Sequence, residues 1–279
     1  MASKTVLITG CSSGIGHATA ERLAADGWKV YATARRPETI EDLKAKGCET
    51  LALDVTDEAS MQNAVGAVIE REGAVGVLVN NAGYSQSGAV ETVSLDEVRR
   101  QFETNVFGLT RMCQLVLPGM REARYGKIVN IGSMGGRLTF PGGGFYHGTK
   151  YAVEALSDAL RFEVRGFGVD VILIEPGLIT TNFGETAVAT VTDEVDGAYT
   201  HFNRKVSKLT TDAYNGPMAK LGAGPEAVAA TIAKAISAKR PKARYPVTLS
   251  AHLLINQRRL TPDRVWDVMM RSQYPTPKP

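Results

Sequence analysis

The sequence has little of several features that would point to particular classes of protein. Its three cysteines, Cys11, Cys48 and Cys113, are odd in number and lie far apart. This spacing fits neither a disulfide framework nor a metal site, and it is typical of free thiols in a reducing compartment. The four histidines are dispersed as well, so we expect no metal. No apolar run approaches the roughly 18 residues that span a bilayer.

Positive and negative charges also nearly balance, with 32 Lys and Arg against 29 Asp and Glu. The formal net charge of +3 over 279 residues is too small to indicate binding to nucleic acid or to a membrane. Two short basic runs, Lys239–Arg244 and Arg258-Arg259, fit an anionic partner or, more simply, a solvated surface. A strand-like run begins by Thr5, which leaves no room for a signal peptide, and we therefore predict a cytoplasmic protein.

Short apolar runs alternate with longer amphipathic stretches along the chain. This alternation predicts βαβ units and a parallel sheet. Some runs, such as Val171–Ile174, are apolar throughout, which is typical of strands covered by helices on both faces. The predicted strands are Thr5–Thr9, Lys29–Ala34, Thr50–Leu53, Val75–Asn80, Lys127–Ile131, Asp170–Glu175 and Arg244–Leu249.

Helical patterns fill the gaps between these strands, and no linker interrupts them. We therefore predict one doubly wound α/β (Rossmann) domain over residues 1–279. Two segments lie outside the alternation: 180–224, expected to be a lid over the substrate, and the tail 251–279, with a short helix over Asp263–Arg271. The other predicted helices are Ile15–Asp26, Glu58–Glu72, Leu95–Arg121, Gly148–Arg165 and Glu226–Ala238.

A glycine-rich turn follows the first predicted strand directly, and a helical pattern follows the turn. This is the context of a dinucleotide fingerprint, in which glycines let the backbone approach a pyrophosphate at a helix N-terminus. The spacing is Gly-x-x-x-Gly-x-Gly, and taken alone it is equally compatible with an ordinary glycine-rich turn. The residues expected to contact a cofactor here are Gly10, Ser12, Ser13, Gly14, Ile15 and Gly16.

Tyr146 and Lys150 are four residues apart, so a helix would place both side chains on one face. A free tyrosine has a pKa of about 10, and a nearby ammonium lowers it by roughly 1–3 units, toward the range useful for acid–base chemistry. Ser133 follows a predicted buried strand, 13 residues before Tyr146. The pair alone is weak, but its position after a nucleotide motif strengthens the prediction.

The glycine turn, Asn80-Asn81-Ala82-Gly83, Asn105, Ser133, and Tyr146 with Lys150 follow one another along the chain. This set and its order resemble the motifs of the short-chain dehydrogenases/reductases. The resemblance covers residues 5 to about 250 and implies a seven-stranded parallel sheet with hydride transfer at a nicotinamide. It also implies a homodimer or homotetramer, paired through the helices at Leu95–Arg121 and Gly148–Arg165.

The resemblance also implies catalytic roles. Tyr146 exchanges a proton with the reacting oxygen, and Ser133 hydrogen-bonds the same oxygen. Lys150 acts on Tyr146 and binds the nicotinamide ribose. Asn105, in an otherwise apolar helix, holds a water that relays protons. A structural, helix-bending role for Asn105 is equally compatible with its position.

The end of the second predicted strand indicates the cofactor. NAD enzymes place an acid there for the ribose hydroxyls, whereas this chain has Ala34 followed by Arg35 and Arg36. A guanidinium suits a 2′-phosphate, so we predict NADP(H). Asn80 is expected to tie strands together. The other cofactor contacts implied by the resemblance are Asp54, Val55, Asn81, Ala82, Gly83, Lys150, Pro176, Gly177, Ile179 and Thr181.

The predicted substrate contacts are Met134, Phe140, Phe145 and Phe183. Their apolar character favours a hydrophobic alcohol, ketone or aldehyde, although each could equally belong to the core or a subunit contact. The segment Val30–Pro37 resembles a subset near the 17-beta-hydroxysteroid and retinol dehydrogenases, which implies a steroid-, retinoid- or lipid-like substrate.

Two other functions fit the same fold. One is reduction of a 3-oxoacyl thioester, for which the chain lacks a convincing basic docking patch beside the lid. The other is a non-catalytic NADP sensor that binds a protein partner. The complete set of Asn105, Ser133, Tyr146 and Lys150 argues against the sensor, which needs no proton donor.

Overall fold

The apolar runs form one parallel sheet of seven strands. The computed structural model describes residues 4–191 and 197–277, and within them the strand order is β3-β2-β1-β4-β5-β6-β7. Each pairing of neighbouring strands is parallel. The order in which strands are added reverses at β1: β2 and β3 lie on one side of it, and β4 to β7 lie on the other. Ligands of such sheets bind beyond the carboxyl ends of the strands at this point, between β1 and β4. The strands are β1 (Thr5–Ile8), β2 (Lys29–Ala34), β3 (Glu49–Ala52), β4 (Val77–Asn80), β5 (Gly126–Ile131), β6 (Val169–Glu175) and β7 (Arg244–Pro246).

Helices cover both faces of the sheet. They are α1 (Gly14–Ala25), α2 (Asp42–Ala45), α3 (Glu58–Glu72), α4 (Leu95–Phe102), α5 (Leu109–Glu122), α6 (Gly144–Glu163), α7 (Phe183–Ala189), α8 (Thr200–Asn215), α9 (Pro225–Ser237), α10 (Leu249–Leu260) and α11 (Asp263–Gln273). Short 3-10 turns occur at Pro37–Ile40, Met134–Gly136, Arg165–Phe167 and Pro217–Leu221, and a π-helical segment, Glu103–Gly108, joins α4 to α5. In the described part of the chain, no helix is both long and apolar enough to cross a membrane.

Alternate residues of the central strands enter different hydrophobic cores. Val6 and Ile8 of β1 pack with Leu23 of α1 on one face of the sheet. Leu7, between them, packs with Val116 of α5 on the other face. All three strand residues are fully buried. Burial on both faces explains why these strands are apolar throughout instead of alternating with polar residues.

Three predicted elements differ from the structure by more than two residues at one end or by an interruption. Helix α6 begins at Gly144 rather than Gly148, so Tyr146 and Lys150 both lie inside it. The predicted helix Leu95–Arg121 is interrupted by the π-helical segment. Strand β7 ends at Pro246 rather than Leu249, because the Thr248 hydroxyl accepts a hydrogen bond from the amide of Ala251 and caps α10.

The predicted lid and tail are both largely helical. The lid, 180–224, contains α7 and α8, and residues 192–196 of it lie outside the described part of the chain. The tail contains α10 and α11, and α11 matches the predicted short helix. Trp266 and Met270 of α11 pack with Met134, Leu138 and Leu178 in a third hydrophobic cluster. The tail therefore packs against the segment that follows Ser133.

Candidate active site

The glycine turn is shaped by close backbone contacts. Gly10 and Gly14 have φ angles of +72° and +59°, in the left-handed region that favours glycine. A Cβ atom at Gly10 would lie 2.9 Å from Cα of Ala82, and one at Gly16 would lie 2.5 Å from Nδ2 of Asn81. Neither Gly10 nor Gly16 thus has room for a side chain, which leaves the backbone there accessible to a ligand.

The N-terminus of α1 is open at the end of this turn. Ser13 is the N-cap residue, but its side chain makes no capping hydrogen bond, and the first turn of the helix has no acidic residue. Ser12 and Ser13 are both exposed, whereas Ile15 packs against the core. Free amide groups at a helix N-terminus bind anions well, so this site fits the pyrophosphate of a dinucleotide.

Polar side chains fasten the end of β4 to the glycine turn. The Thr9 hydroxyl accepts hydrogen bonds from the amides of Asn81 and Ala82, at 3.0 Å each. The Asn81 side-chain amide donates to the carbonyl oxygens of Thr9 and Gly10, at 2.9 Å each. The Asn81 side chain therefore positions the turn, and its contact with a cofactor stays a prediction, as does that of Gly83.

Asn80 has the structural role expected from the sequence. Its Nδ2 donates to Oδ1 of Asn130 in β5 at 3.0 Å, and Nδ2 of Asn130 donates to the hydroxyl of Ser157 in α6 at 2.9 Å. These buried bonds tie β4, β5 and α6 together directly beneath the site.

Arg35 and Arg36 are exposed directly after β2. The amide of Cys11 donates to the carbonyl of Thr33 at 2.7 Å, which joins the glycine turn to the end of β2. The structure thus brings both arginines to the edge of the sheet that carries the turn. Glu38, the nearby acid, is exposed in the following 3-10 turn.

The remaining predicted contacts lie along the same edge. Asp54 accepts hydrogen bonds at Oδ1 from the amide and hydroxyl of Thr56, at 2.9 and 2.8 Å, and Val55 is buried beside it. A Cβ atom on Gly14 would lie 3.2 Å from Cγ2 of Thr181, so the turn after β6 meets the glycine turn. Pro176, Gly177 and Ile179 form that turn, in which Ile179 is buried and pairs with Ala223.

Ser133, Tyr146 and Lys150 come together beyond β5. The Ser133 hydroxyl accepts a hydrogen bond from the amide of Gly135 at 2.9 Å and is itself hydrogen-bonded to Tyr146. The Lys150 ammonium donates to the carbonyl of Ile131 at 2.8 Å, and its Nζ lies 5.8 Å from the centre of the Tyr146 ring. The structure therefore assembles the predicted proton donor, its hydrogen-bond partner and the cation.

Burial is the largest cause of the pKa shifts of Tyr146 and Lys150. It raises the pKa of Tyr146 to about 12, while the hydrogen bond with Ser133 acts in the opposite direction. Burial also lowers the pKa of Lys150 to about 8, while Glu154 opposes the change. The pKa of Tyr146 is thus raised, whereas the sequence predicted that the Lys150 ammonium would lower it. A phenol that keeps its proton at neutral pH suits a proton donor.

Asn105 lies in the π-helical segment and is buried. Its Oδ1 accepts from the amide of Tyr84 at 3.1 Å, and its Nδ2 donates to the carbonyl of Tyr84 and to the hydroxyl of Thr149, at 2.9 and 3.1 Å. Thr149 donates in turn to the carbonyl of Tyr146 at 2.7 Å. This agrees with a role in distorting the helix, whereas a water held by Asn105 stays a prediction.

His147 is a site residue that was not predicted from the sequence, because the four histidines are dispersed along the chain. Its Nδ1 lies 2.9 Å from the carbonyl of Gly135, to which it donates, so Nε2 is free to accept from the amide of Phe140 at 3.2 Å. Burial lowers the pKa of His147 and so favours this neutral form. The available signal was its place beside Tyr146, after a run of three glycines.

The four predicted substrate contacts separate into different surroundings. The rings of Phe183 and Tyr146 have centres 5.5 Å apart, so Phe183 lies beside the proton donor. Phe140 packs against Trp266 at 6.3 Å, and Met134 joins the same tail cluster. Phe145 is partly exposed and directly precedes Tyr146 in α6.

A cavity of about 290 Å³ opens between α7 and α8. It is lined by Thr181, Gly184, Val188 and Tyr214, among others. Tyr214 interacts electrostatically with Tyr146, and burial raises the pKa of its hydroxyl. Tyr214 is not among the predicted site residues, since nothing in the local sequence pattern distinguishes it from other aromatic residues of the lid.

Comparison with known proteins identifies the family to which this chain belongs. The family described as short chain dehydrogenase matches residues 4–192. The chain belongs to the short-chain dehydrogenase family. The 3-ketodihydrosphingosine reductase of Bacteroides thetaiotaomicron is 36% identical over 98% of this chain and 99% of the relative. The NADPH-dependent 3-dehydrocapnine reductase of Ornithobacterium rhinotracheale is 36% identical over 94% of each chain. Neither relative supports the narrower resemblance to 17-beta-hydroxysteroid and retinol dehydrogenases.

Solved short-chain dehydrogenases share the fold. One from Streptomyces avermitilis is 36% identical, with a TM-score of 0.79 over 98% of each chain. A serine dehydrogenase complexed with NADP+ is 28% identical, with a TM-score of 0.75 over 88% of this chain and 94% of that one. A Burkholderia phymatum enzyme in complex with NAD is 26% identical, with a TM-score of 0.78 over 99% and 97%. Both cofactors thus occur among structures with this fold.

Proposed function

We propose that this short-chain dehydrogenase transfers a hydride between NADP(H) and an apolar ketone or the corresponding alcohol. The observation that carries the proposal is the meeting of Ser133, Tyr146 and Lys150 beside Phe183, at the edge of the sheet that holds the glycine turn. When bound at the glycine turn, NADPH would supply a hydride for the carbonyl carbon of the substrate. Tyr146 supplies the proton to the carbonyl oxygen, so that NADPH becomes NADP+ and the ketone becomes an alcohol.

Each protein group has a separate task in that step. Ser133 hydrogen-bonds the reacting oxygen and holds it near Tyr146. Tyr146 keeps its proton at neutral pH because burial raises its pKa, and it donates that proton as negative charge develops on the oxygen. Lys150, fixed by the carbonyl of Ile131, stabilises the phenolate left behind and binds the ribose.

Arg35 and Arg36 support NADP(H) rather than NAD(H). Both are exposed beside the glycine turn, and two positive charges favour a 2′-phosphate over a hydroxyl. The NADPH-dependent relative points in the same direction. The other groups proposed to hold the cofactor are the open N-terminus of α1, Asp54 with Val55, Asn81 to Gly83, and the turn Pro176 to Thr181.

Apolar surroundings favour a lipid-like substrate. Phe183 lies against Tyr146, and the cluster of Phe140, Met134 and Trp266 backs the segment after Ser133. An apolar site with few polar anchors selects hydrophobic compounds. The names of the two relatives, 3-ketodihydrosphingosine reductase and 3-dehydrocapnine reductase, support a ketone of this kind as the substrate class.

The proposal is tested by oxidation of NADPH, with NADH in parallel, over a panel of long-chain ketones, aldehydes, steroids, retinoids and 3-oxoacyl thioesters. We expect turnover with NADPH on a long-chain ketone and a loss of at least about 100-fold in Tyr146→Phe, since acid catalysis contributes about that much or more. Tyr125→Phe, a half-buried tyrosine after α5, is the matched control and should keep its activity.

Other outcomes contradict the proposal in different ways. Preference for an oxoacyl thioester would favour the thioester reductase. Tight binding of NADPH without turnover, unchanged in Tyr146→Phe, would favour a sensor. Preference for NADH would overturn the assignment of Arg35 and Arg36.

We further propose that the chain assembles as a dimer or tetramer through α5 and α6. Large apolar side chains on α6 and on the π-helical segment that leads into α5 face solvent: Phe107 is 56% exposed, Tyr151 44% and Phe162 82%. Apolar surface of this kind favours an interface. Light scattering on the purified protein should give at least twice the mass of one chain, and a monomer would contradict the proposal.

A further inference from the structure

Four charged side chains form a cluster behind the turn that carries Ser133. Glu154 of α6 and Glu175 at the end of β6 are 6% and 1% exposed. Arg244 of β7 donates from Nε to Oε2 of Glu154 at 2.9 Å, and the same Nε lies 3.6 Å from Oε1 of Glu175. Arg137 donates to Oε1 of Glu175 at 3.2 Å. Glu154 and Glu175, which share Arg244, are termed the carboxyl pair below.

Glu154 lies close to the residues that carry the proposed chemistry. It is one helical turn after Lys150. A Cβ atom on Gly136 would lie 2.9 Å from the Lys150 carbonyl oxygen and 3.0 Å from Cγ of Glu154. A Cβ atom on Gly132 would lie 3.4 Å from Oε1 of Glu154. Glu154 therefore contacts the residues on both sides of Ser133.

The carboxyl pair has too few hydrogen-bond partners to carry two full charges. Oε1 of Glu154 is buried and has no partner in the structure. An ionised carboxylate with an unsatisfied buried oxygen is unfavourable, and a proton shared with Glu175 removes that cost. Burial and the neighbouring Glu175 raise the pKa of Glu154 to about 7, while Arg244 opposes the change. The pair therefore holds a proton in acid and loses it as the pH rises.

We propose that Glu154 is a positioning residue whose carboxyl, paired with Glu175, sets the charge facing Lys150 and thereby the alkaline limit of proton transfer by Tyr146. The inference rests on the proposed function, since it assigns Tyr146 as the proton donor. The charged groups that the structure shows around Glu154 are Lys150 and Asp158 of α6, Glu175 of β6, Arg244 of β7, and Arg137 of the turn after Ser133.

The charge on the carboxyl pair determines up to which pH Lys150 stays protonated. Burial of Lys150 favours its neutral form, and Glu154 opposes this by raising the pKa of the ammonium. When the carboxyl pair loses its proton, the added negative charge keeps Lys150 protonated to a higher pH. A charged Lys150 keeps stabilising the Tyr146 phenolate that forms during the reaction, so activity persists further into alkali.

The first test is the pH profile of kcat/KM in Glu154→Gln. At pH 6 the pair is protonated in the natural protein, so the neutral glutamine should resemble it and kcat/KM should stay within about two-fold. Above pH 7 the carboxyl pair of the natural protein loses its proton, and the variant lacks the negative charge that this adds at position 154. Its alkaline limb should then move to lower pH by about half a unit or more, a shift within the range that one neighbouring charge produces.

Two further variants make the test specific. Glu175→Gln should move the alkaline limb less than Glu154→Gln does, because Glu154 then ionises more readily and keeps its negative charge beside Lys150. Asp158→Asn is the matched control: Asp158 also accepts from Arg244, but it is 45% exposed and its pKa is lowered, so it stays ionised across this range. An equal loss at every pH in Glu154→Gln would overturn the proposal. So would a shift of the same size in Asp158→Asn.

A second measurement requires no substrate and separates this proposal from the proposed function. Glu154 has a pKa raised from 4.5 to about 7 by folding, so its stabilisation is fully present below pH 4.5 and is lost as the pH rises through 7. The Tm of the natural protein should therefore fall relative to that of Glu154→Gln between pH 5 and 8. A difference in Tm that does not change with pH would overturn the proposal even if ketone turnover is found.

Discussion

Arg35 and Tyr146 show how far single residues can be assigned from their surroundings. Tyr146 has a defined environment, because burial and Ser133 both act on its hydroxyl and Lys150 lies over its ring. Arg35 has none of these constraints: it is exposed, and its function depends on a charge complementary to its own. The assignment of Arg35 to a 2′-phosphate therefore rests on its charge and position, and a substitution tests it directly.

Replacement of Arg35 by alanine should raise the KM for NADPH by about 10-fold or more and change the KM for NADH by less than about two-fold. A hydrogen bond to a charged group contributes about 1.5–3 kcal/mol, and each 1.4 kcal/mol corresponds to roughly a factor of ten. Steady-state kinetics with both cofactors measure this. Arg22→Ala is the control, since Arg22 pairs with Asp26 at the far end of α1. Equal effects on both cofactors would contradict the assignment.

At the scale of the elements, the strands and the glycine turn are predictable from the sequence because their signals are local. A run such as Val171–Ile174 is apolar at each position, and burial on both faces requires that pattern. The glycine turn is equally clear, since its contacts with Ala82 and Asn81 exclude every side chain at two of its positions.

The features that were missed depend on residues distant in sequence. The π-helical segment around Asn105 has an ordinary helical pattern, and its distortion accompanies hydrogen bonds to Tyr84 and Thr149, which are 21 and 44 residues away. The end of β7 depends on Thr248, which caps the next helix instead of extending the strand. The contacts of His147 with Gly135 and Phe140 likewise become visible only once the turn after β5 is folded.

Two glycines in helices provide a matched test of the cofactor turn. Gly16→Ala in α1 should destabilise the protein by about 1–3 kcal/mol, because its methyl group would press against Gly10 and Asn81. It should also weaken NADPH binding. Gly66→Ala in α3 has no atom within 4 Å of the added methyl group and should stabilise by about 0.5–1 kcal/mol. Urea unfolding and NADPH fluorescence titration measure both, and unchanged NADPH binding in Gly16→Ala would contradict the role of the turn.

At the scale of the whole molecule, the tail is the element whose role the sequence left open. Its residues could equally have covered the pocket or a partner subunit, because Trp266 and Met270 are apolar without any local indication of what they pack against. The structure packs them on Met134, Leu138 and Phe140 of the same chain. The segment after Ser133 is therefore held between the sheet and the last helix of the chain, which links stability to the shape of the site.

This link predicts that Trp266→Ala should destabilise the protein by about 3–5 kcal/mol, the usual cost of removing a large buried aromatic side chain. Trp266 is 6% exposed, whereas Val268, two residues later on α11, is 63% exposed. Val268→Ala should accordingly change stability by less than about 0.5 kcal/mol. Because Phe140 and Met134 lose their support in Trp266→Ala, the KM for an apolar ketone should rise while NADPH affinity is retained. Equal loss of ketone and NADPH binding would instead mean that the tail supports the whole fold without shaping the substrate site.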